Sequence, residues 1–356
     1  MKAALELDDK NNYTLDFFAL KNTAKKTERA RALFGENVNF SVCKWFSSSL
    51  AKKIWLLLPL PYRLFFHEKA DVSCFFNFTV PPFAWGKKVV VIYDTVIKDF
   101  PETMNYKTRF VLGTTLSRSI KRADKIVTIS QFSKACIMRH YGVDEEKIAV
   151  VPCGLREDVF NTSYSEQECE EAKARYGISG NYLLYLGTLE PRKNIERIVE
   201  AYGMLRKELN DCPKLVLAGG KGWLFDSIFE RVKELQIEDD VIFTGYVRDE
   251  DVPLIMSGAM TFCFPSLFEG FGMPPLEAMA CGTPVITSNC SSIPEVVADA
   301  AITVDPYDVN ALYEAMKNVT TNSDLREELS LKGLERCKLF SWQTSAKLFL
   351  ETINNL

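Results

Sequence analysis

Histidine is scarce: His67 and His140 are the only two in 356 residues, too few for most metal sites or for triad chemistry. The ten cysteines include no CxxC pair, and several sit in apolar runs (Cys74 in VSCFF, Cys263 in TFCF). Neither a disulfide framework nor a zinc site is expected, and a reducing cytoplasm is the expected location. Neither GxGxxG nor GxxxxGK[ST] occurs, which argues against dehydrogenase and P-loop chemistry. Long apolar runs are also missing. The longest, 54–66, is broken by Pro59, Pro61 and Arg63 and falls short of the roughly 20 residues of a spanning helix. The first residues, MKAALELDDKNN, turn acidic too early for a cleavable signal peptide. No solenoid-period repeat or low-complexity segment is evident.

What is present is an ordinary globular composition, 47% hydrophobic and 25% charged, enough for two domains at roughly 100–200 residues each. The net charge of −4 gives no reason to expect a nucleic-acid partner. It is also an average over unlike halves. Residues 1–155 carry 24 basic against 15 acidic side chains, and residues 156–356 carry 19 against 32. Such asymmetry suggests that the halves face different partners.

Short β-branched runs alternate with amphipathic helical patterns. The first half has KVVVIY at 88–93, KIVTIS at 125–130 and IAVVP at 148–152, with helical patterns over 106–121 and 131–141. The second half has YLLYLG at 182–187, KLVLAGG at 214–220, VIFTGY at 241–246, MTFCFP at 260–265, PVITS at 284–288 and AITV at 301–304. Continuous apolar strands between helices imply parallel sheets covered on both faces. The expected fold class is therefore α/β, with two doubly wound, Rossmann-like domains joined near 154–161. The start is unusual: residues 1–9 read as the end of a helix and NYTLDFFAL at 12–20 as a strand, without the strand and glycine turn that normally open such a domain.

The strongest candidate for chemistry is FPSLFEGFGMPPLE at 264–277. A strand ends in a loop with two glycines, and Pro274 and Pro275 suit the first turn of a helix. The amides of Gly270, Phe271, Gly272 and Met273 are expected to point out of the carboxyl end of a parallel strand, where ligands of open α/β sheets bind. Glu269 before the helix and Glu277 on it could grip hydroxyls at two distances. A glycine turn with a solvated glutamate fits the spacing as well.

This segment resembles the Glu-x7-Glu motif of the retaining glycosyltransferases of family 4, the large group that includes bacterial mannosyltransferases and sucrose-phosphate synthases and has the GT-B fold. GTLEPRKN at 187–194, LAGGKG at 217–222, Thr244-Gly245, GTPVI at 282–286 and IPE at 293–295 follow the family's usual order. The resemblance covers roughly residues 85–340. It implies an acceptor-side domain at 1–156, a donor domain at 157–339, and a closing helix at 340–356 that crosses back. By carry-over, Lys193 with Arg192 would neutralise the donor diphosphate, and Glu269 would touch the transferred sugar. The amides of Gly270, Phe271, Gly272 and Met273 would lie beside it, and Glu277 would accept bonds from ribose hydroxyls. Gly187, Thr188 and Lys221 would lie near the nucleotide, Tyr246 and Val247 near the base. Glu295 matches a weaker family position, or serves only the dipole of its own helix.

The chain departs from the family in three places. Gly187-Thr188 stands where many members have Gly-Arg, leaving the diphosphate to Arg192 and Lys193. Tyr93-Asp94 stands where many have His-Asp, which keeps Asp94 as an acceptor-side candidate beside Tyr93. The opening strand with its glycine loop is absent from the first domain. The basic aromatic stretch 44–66 reads either as an interfacial anchor or as a helix packed on the sheet. The implied activity is metal-independent, cofactor-free transfer of a hexose, expected to be mannose from GDP-mannose, to a glycan or lipid-linked acceptor, in the cytoplasm or on the inner membrane face. Alternatives are a UDP- or dTDP-sugar donor, or an inactive sugar-nucleotide-binding subunit. A phosphorylase-like enzyme would share the fold, but no segment resembles a pyridoxal-phosphate lysine site.

Overall fold

The structure, a computed structural model, describes residues 1–35, 38–104, 106–222 and 225–356. Its strands are β1 (Thr14–Phe18), β2 (Asn39–Cys43), β3 (Val72–Phe75), β4 (Lys87–Val91), β5 (Lys125–Thr128), β6 (Ile148–Val150), β7 (Tyr182–Leu186), β8 (Lys214–Ala218), β9 (Val241–Gly245), β10 (Thr261–Phe264), β11 (Val285–Ser288) and β12 (Ile302–Val304). They form three parallel sheets, ordered β1-β2, β3-β4-β5-β6 and β12-β11-β10-β7-β8-β9. The six-stranded sheet is doubly wound: its first strand, β7, lies beside its fourth, β10, and strand order reverses between them. A crevice opens at the carboxyl ends of the strands at such a reversal.

The runs read as strands become strands because they are apolar throughout and are covered on both faces. Tyr182, Leu183, Leu184 and Tyr185 of β7 and Leu215 to Ala218 of β8 are fully buried. The buried tyrosines keep partners: the Tyr182 hydroxyl donates to the Ile255 carbonyl at 2.6 Å, Tyr185 to Thr188 at 2.9 Å and Tyr202 to Pro213 at 2.9 Å. Each bond offsets the cost of desolvating a phenol. Caps set the helix starts. Ser165 and Glu168 form a capping box on Glu166–Arg175, and Ser130 caps Gln131–Tyr141 through the Ser133 amide.

The first domain begins with the helix Lys2–Leu7 and then β1. Among the described residues no strand joins β1 to β3, so its sheet is divided in two. The C-terminal helix Trp342–Asn354 packs on this domain: Ala346 and Phe349 share a core with Ala4, Val89, Val91 and Val127. The crossing is tight. The Leu155 amide donates to the Phe340 carbonyl at 2.8 Å, and a Cβ on Gly154 would lie 2.3 Å from the Trp342 nitrogen. The basic aromatic stretch forms the helix Ser48–Leu57 and a short turn at Tyr62–Leu64, with Trp55, Tyr62, Phe65 and Phe66 packed against Phe18 and Phe75. The side chains of Lys52, Leu56 and Leu57 lie outside the described residues. Among the described residues no helix is long and apolar enough to cross a membrane.

Candidate active site

Two loops meet at the reversal point: residues 187–194 after β7 and 265–273 after β10. Their contact is ionic. Glu269 Oε1 accepts from Lys193 Nζ at 2.6 Å, from Arg192 Nη1 at 3.1 Å and from the Ser266 hydroxyl at 2.6 Å. Arg192 also reaches Glu190 at 2.6 Å, and its Nη1 donates to the Phe268 carbonyl at 2.6 Å. Lys193 Nζ stands 4.8 Å from the centre of the Phe264 ring. All three charged side chains are largely withdrawn from water, with 13% exposure for Glu269, 12% for Lys193 and 20% for Arg192.

Burial alone would raise the Glu269 carboxyl, but Lys193 and Arg192 outweigh it and hold the group below the ordinary glutamate value. Burial works the same way on Lys193 and pulls it below the ordinary lysine value, despite Glu269. Arg192 is stabilised as a cation by Glu269 and Glu190 against the pull of burial. Two cations and two glutamates, Glu190 and Glu269, thus form one largely buried ionic cluster.

The rest of the loop is shaped for close approach. Gly272 has φ +121° and caps the helix Met273–Ala280, where a Cβ would lie 2.8 Å from Ile293. On Gly270 a Cβ would lie 2.6 Å from the Tyr93 carbonyl of the other domain. Among the described residues none accepts a hydrogen bond from the amides of Gly270, Phe271, Gly272 or Met273, so these donors are free for an anion or a sugar hydroxyl. The Phe271 ring points away and is buried against Phe340.

Glu277, half-buried on that helix, has no hydrogen-bond partner among the described residues. Burial raises its carboxyl above the ordinary value, with Arg156 opposing. From the first domain, Asp94 follows β4 and accepts from the Val96 amide at 3.1 Å. Burial raises it too, while Arg192 and Lys193 pull the other way; a Cβ on Gly270 would lie 3.0 Å from the Asp94 Cβ, which sets Asp94 beside the loop that carries Glu269. The Tyr93 hydroxyl donates to the Phe76 carbonyl at 2.9 Å.

The structure therefore brings together Arg192, Lys193, Glu269, the Gly270–Met273 amides and Asp94. Gly187 and Thr188 lie alongside: the β7 loop is zipped to the β8 loop by Leu189 N to Gly220 O and Gly222 N to Leu189 O, each 3.0 Å. Lys221, whose backbone bridges Leu189, holds its ammonium over the rings of Phe225 (4.7 Å) and Phe229 (5.5 Å). Tyr246 is exposed and bonds Asp249, and Val247 is buried in the core.

Glu295 is more than a dipole partner for its own helix. Its two oxygens accept from the amides of Gln131 and Phe132, across the domain boundary. Ser130, Ser133, Phe100, Phe132 and Arg156 also meet the site or its supports without having been expected there. They lie far from 269–277 in sequence, and only Ser130, a serine directly before a helical pattern, carries a local signal, that of a helix cap.

Comparison with known proteins gives the family and the fold. The "Glycosyl transferases group 1" model matches residues 169–336 and the "Glycosyltransferase Family 4" model residues 7–159. The chain is 35% identical over 274 residues to O-antigen chain mannosyltransferase B of Escherichia coli, covering 77% of this chain and 71% of that one. It is 29% identical to O-antigen chain mannosyltransferase RfbU of Salmonella typhimurium, covering 77% and 72%. Among solved structures, Anabaena Alr3699/HepE in complex with UDP and glucose superposes with a TM-score of 0.73 at 17% identity, over 100% of this chain and 94% of that one. The chain belongs to glycosyltransferase family 4 and has the GT-B fold.

Proposed function

We propose that this glycosyltransferase moves a mannosyl residue, with retention of configuration, from a nucleoside diphosphate mannose, GDP-mannose in the first instance, to a glycan or lipid-linked glycan acceptor in polysaccharide synthesis. The observation that carries the reading is the buried Arg192–Lys193 pair, set beside the free Gly270–Met273 amides at the reversal point. The bond from the sugar C1 to the diphosphate oxygen breaks as negative charge builds on the leaving group. Two fixed cations and preformed N–H donors stabilise that charge without reorganisation. The acceptor hydroxyl attacks C1 from the same face, so the nearest base for its proton is an oxygen of the departing diphosphate. Glu269 orients both cations and reaches the sugar hydroxyls, and the unpartnered Glu277 takes the ribose hydroxyls. The fixed cations replace a metal clamp, and no cofactor takes part. Mannose is favoured by the similarity to two O-antigen mannosyltransferases.

Contact with an anionic membrane fits the first domain. Trp45, Leu58, Leu64, Phe83, Tyr106 and Phe110 are exposed among Lys44, Lys53, Arg63 and Arg109, a mixture suited to the headgroup region. Tyr93-Asp94, standing where many family members have His-Asp, favours a second reading, a subunit that binds sugar nucleotides without turning them over.

The test is titration calorimetry with GDP, UDP and dTDP, followed by transfer assays with the matching sugars in EDTA. GDP binding and metal-free mannosyl transfer support the reading. Binding without turnover across an acceptor panel supports the second, and binding of none of the three overturns both.

A further inference from the structure

Glu269, Gly270 and Phe271 belong to the donor domain, yet part of what fixes them comes from elsewhere. Ser130, which caps Gln131–Tyr141 in the first domain, donates its hydroxyl to the Gly270 carbonyl at 2.8 Å. Ser133 donates to the Tyr93 carbonyl at 3.0 Å, with the Gly270 carbonyl 3.2 Å away. Phe268, 3% exposed, is wedged between Phe100 (5.6 Å) and Phe132 (5.5 Å) of the first domain. The donor loop is therefore seated in the first domain by side chains that cluster at one helix start.

Glu295 holds that helix start from the other side. Its Oε2 accepts from the Gln131 amide at 2.8 Å and its Oε1 from the Phe132 amide at 2.6 Å. Those amides have no intrahelical acceptor, and the helix dipole favours a carboxylate there. The segment carrying Glu295 is tied on both sides. Arg336 donates to the carbonyls of Glu295 (2.7 Å) and Val296 (2.8 Å), and the Ser292 hydroxyl lies 2.8 Å from the carbonyls of both Glu269 and Phe271. One short segment thus grips the donor loop through Ser292 and the first domain through Glu295.

We infer that Glu295 is a positioning residue: a clamp that keeps the first domain closed on the donor loop and so sets Asp94 and Tyr93 against Glu269 and the free amides. Both carboxylate oxygens are occupied by the helix, so Glu295 acts on the site through residues 130–133. The role in transfer rests on the function proposed above; the role in closure does not.

The experiment compares full-length wild type, E295Q and E295A by small-angle X-ray scattering with and without GDP, by GDP titration, and by acceptor kinetics. Two charge-assisted bonds are lost in E295A, while in E295Q one amide oxygen still accepts. The closed population should fall about tenfold or more in E295A, with a larger radius of gyration, and E295Q should lie between. GDP affinity should stay within about twofold, while kcat/KM for the acceptor falls about tenfold. Identical scattering for wild type and E295A overturns the clamp. So does a parallel loss of GDP affinity, which would make Glu295 a part of the donor loop. If wild type binds no nucleoside diphosphate, the proposed function fails and the scattering comparison still decides the clamp.

Discussion

Replacing Glu269 by glutamine separates the charge of this residue from its shape. In the resting protein its carboxylate is, among the described residues, the one acidic group ion-paired to Lys193 in a cluster that is mostly dry, with contacts of 2.6 Å to Lys193 and 3.1 Å to Arg192. Breaking a buried pair costs about 3–5 kcal/mol, because the remaining charge is left uncompensated. Arg192 keeps Glu190 at 2.6 Å, so the uncompensated charge is mainly that of Lys193, and the low end, about 3 kcal/mol, applies. For a domain of this size that lowers Tm by roughly 6–12 °C. A diphosphate supplies the missing anion, so GDP should bind E269Q more tightly than wild type. At 100 times its Kd it should restore about 2.7 kcal/mol. Turnover should fall all the same, because the sugar contact and the cation geometry are lost. pH gives a further check. Lys193 is already depressed below its ordinary value of 10.5, and loss of Glu269 depresses it further. The unfolded chain then binds more protons than the folded one between the two values, so stability rises with pH there. The E269Q defect should shrink from pH 7 towards pH 10. Calorimetric melts with and without GDP at both pH values make the measurement. An E269Q protein that melts with wild type and binds GDP more weakly refutes the reasoning.

Three other outcomes follow from the same geometry. Lys193→Met should lower kcat about 100-fold or more, since a fixed donor to the leaving group is removed, while acceptor KM moves little in steady-state assays. Gly270→Ala places a methyl 2.6 Å from the Tyr93 carbonyl and 3.0 Å from Asp94; scattering should show the domains parted and transfer should be slow, with GDP affinity kept. Because Glu269 titrates lower in the folded protein than unfolded, it contributes stability that is present above about pH 4.5 and lost as pH falls through its folded value. E269Q should therefore show a weaker acid loss than wild type in urea melts below pH 5.

The alternation of apolar strands and amphipathic helices was legible in the sequence because the second domain buries its strands on both faces. YLLYLG and KLVLAGG have almost no polar residue to confuse the period. Within the site, the loops carrying Lys193 and Glu269 were legible as motifs, because glycine and proline mark where backbone must turn at a strand end. What spans the two domains was not. Glu295 is followed by apolar residues and sits in the first turn of Ile293–Val297, which is reason enough for a carboxylate. Nothing local shows that its partners are amides 163 and 164 positions earlier. Ser133 and Phe132 read as ordinary helix residues for the same reason. The place of the Lys221 ammonium, over Phe225 and Phe229 four and eight residues on, was likewise not legible from its flanking glycines.

The function proposed for the cluster of Arg192, Lys193 and Glu269 is transfer of mannose with retention. Its most direct test is a timed NMR assay of wild type and K193M with GDP-α-mannose and a mannose-containing acceptor, reading the anomeric proton of the new linkage in the presence of EDTA. Wild type should form an α-mannoside without added metal, and K193M at least about 100-fold less. A β-mannoside, or equal rates from the two proteins, would contradict it.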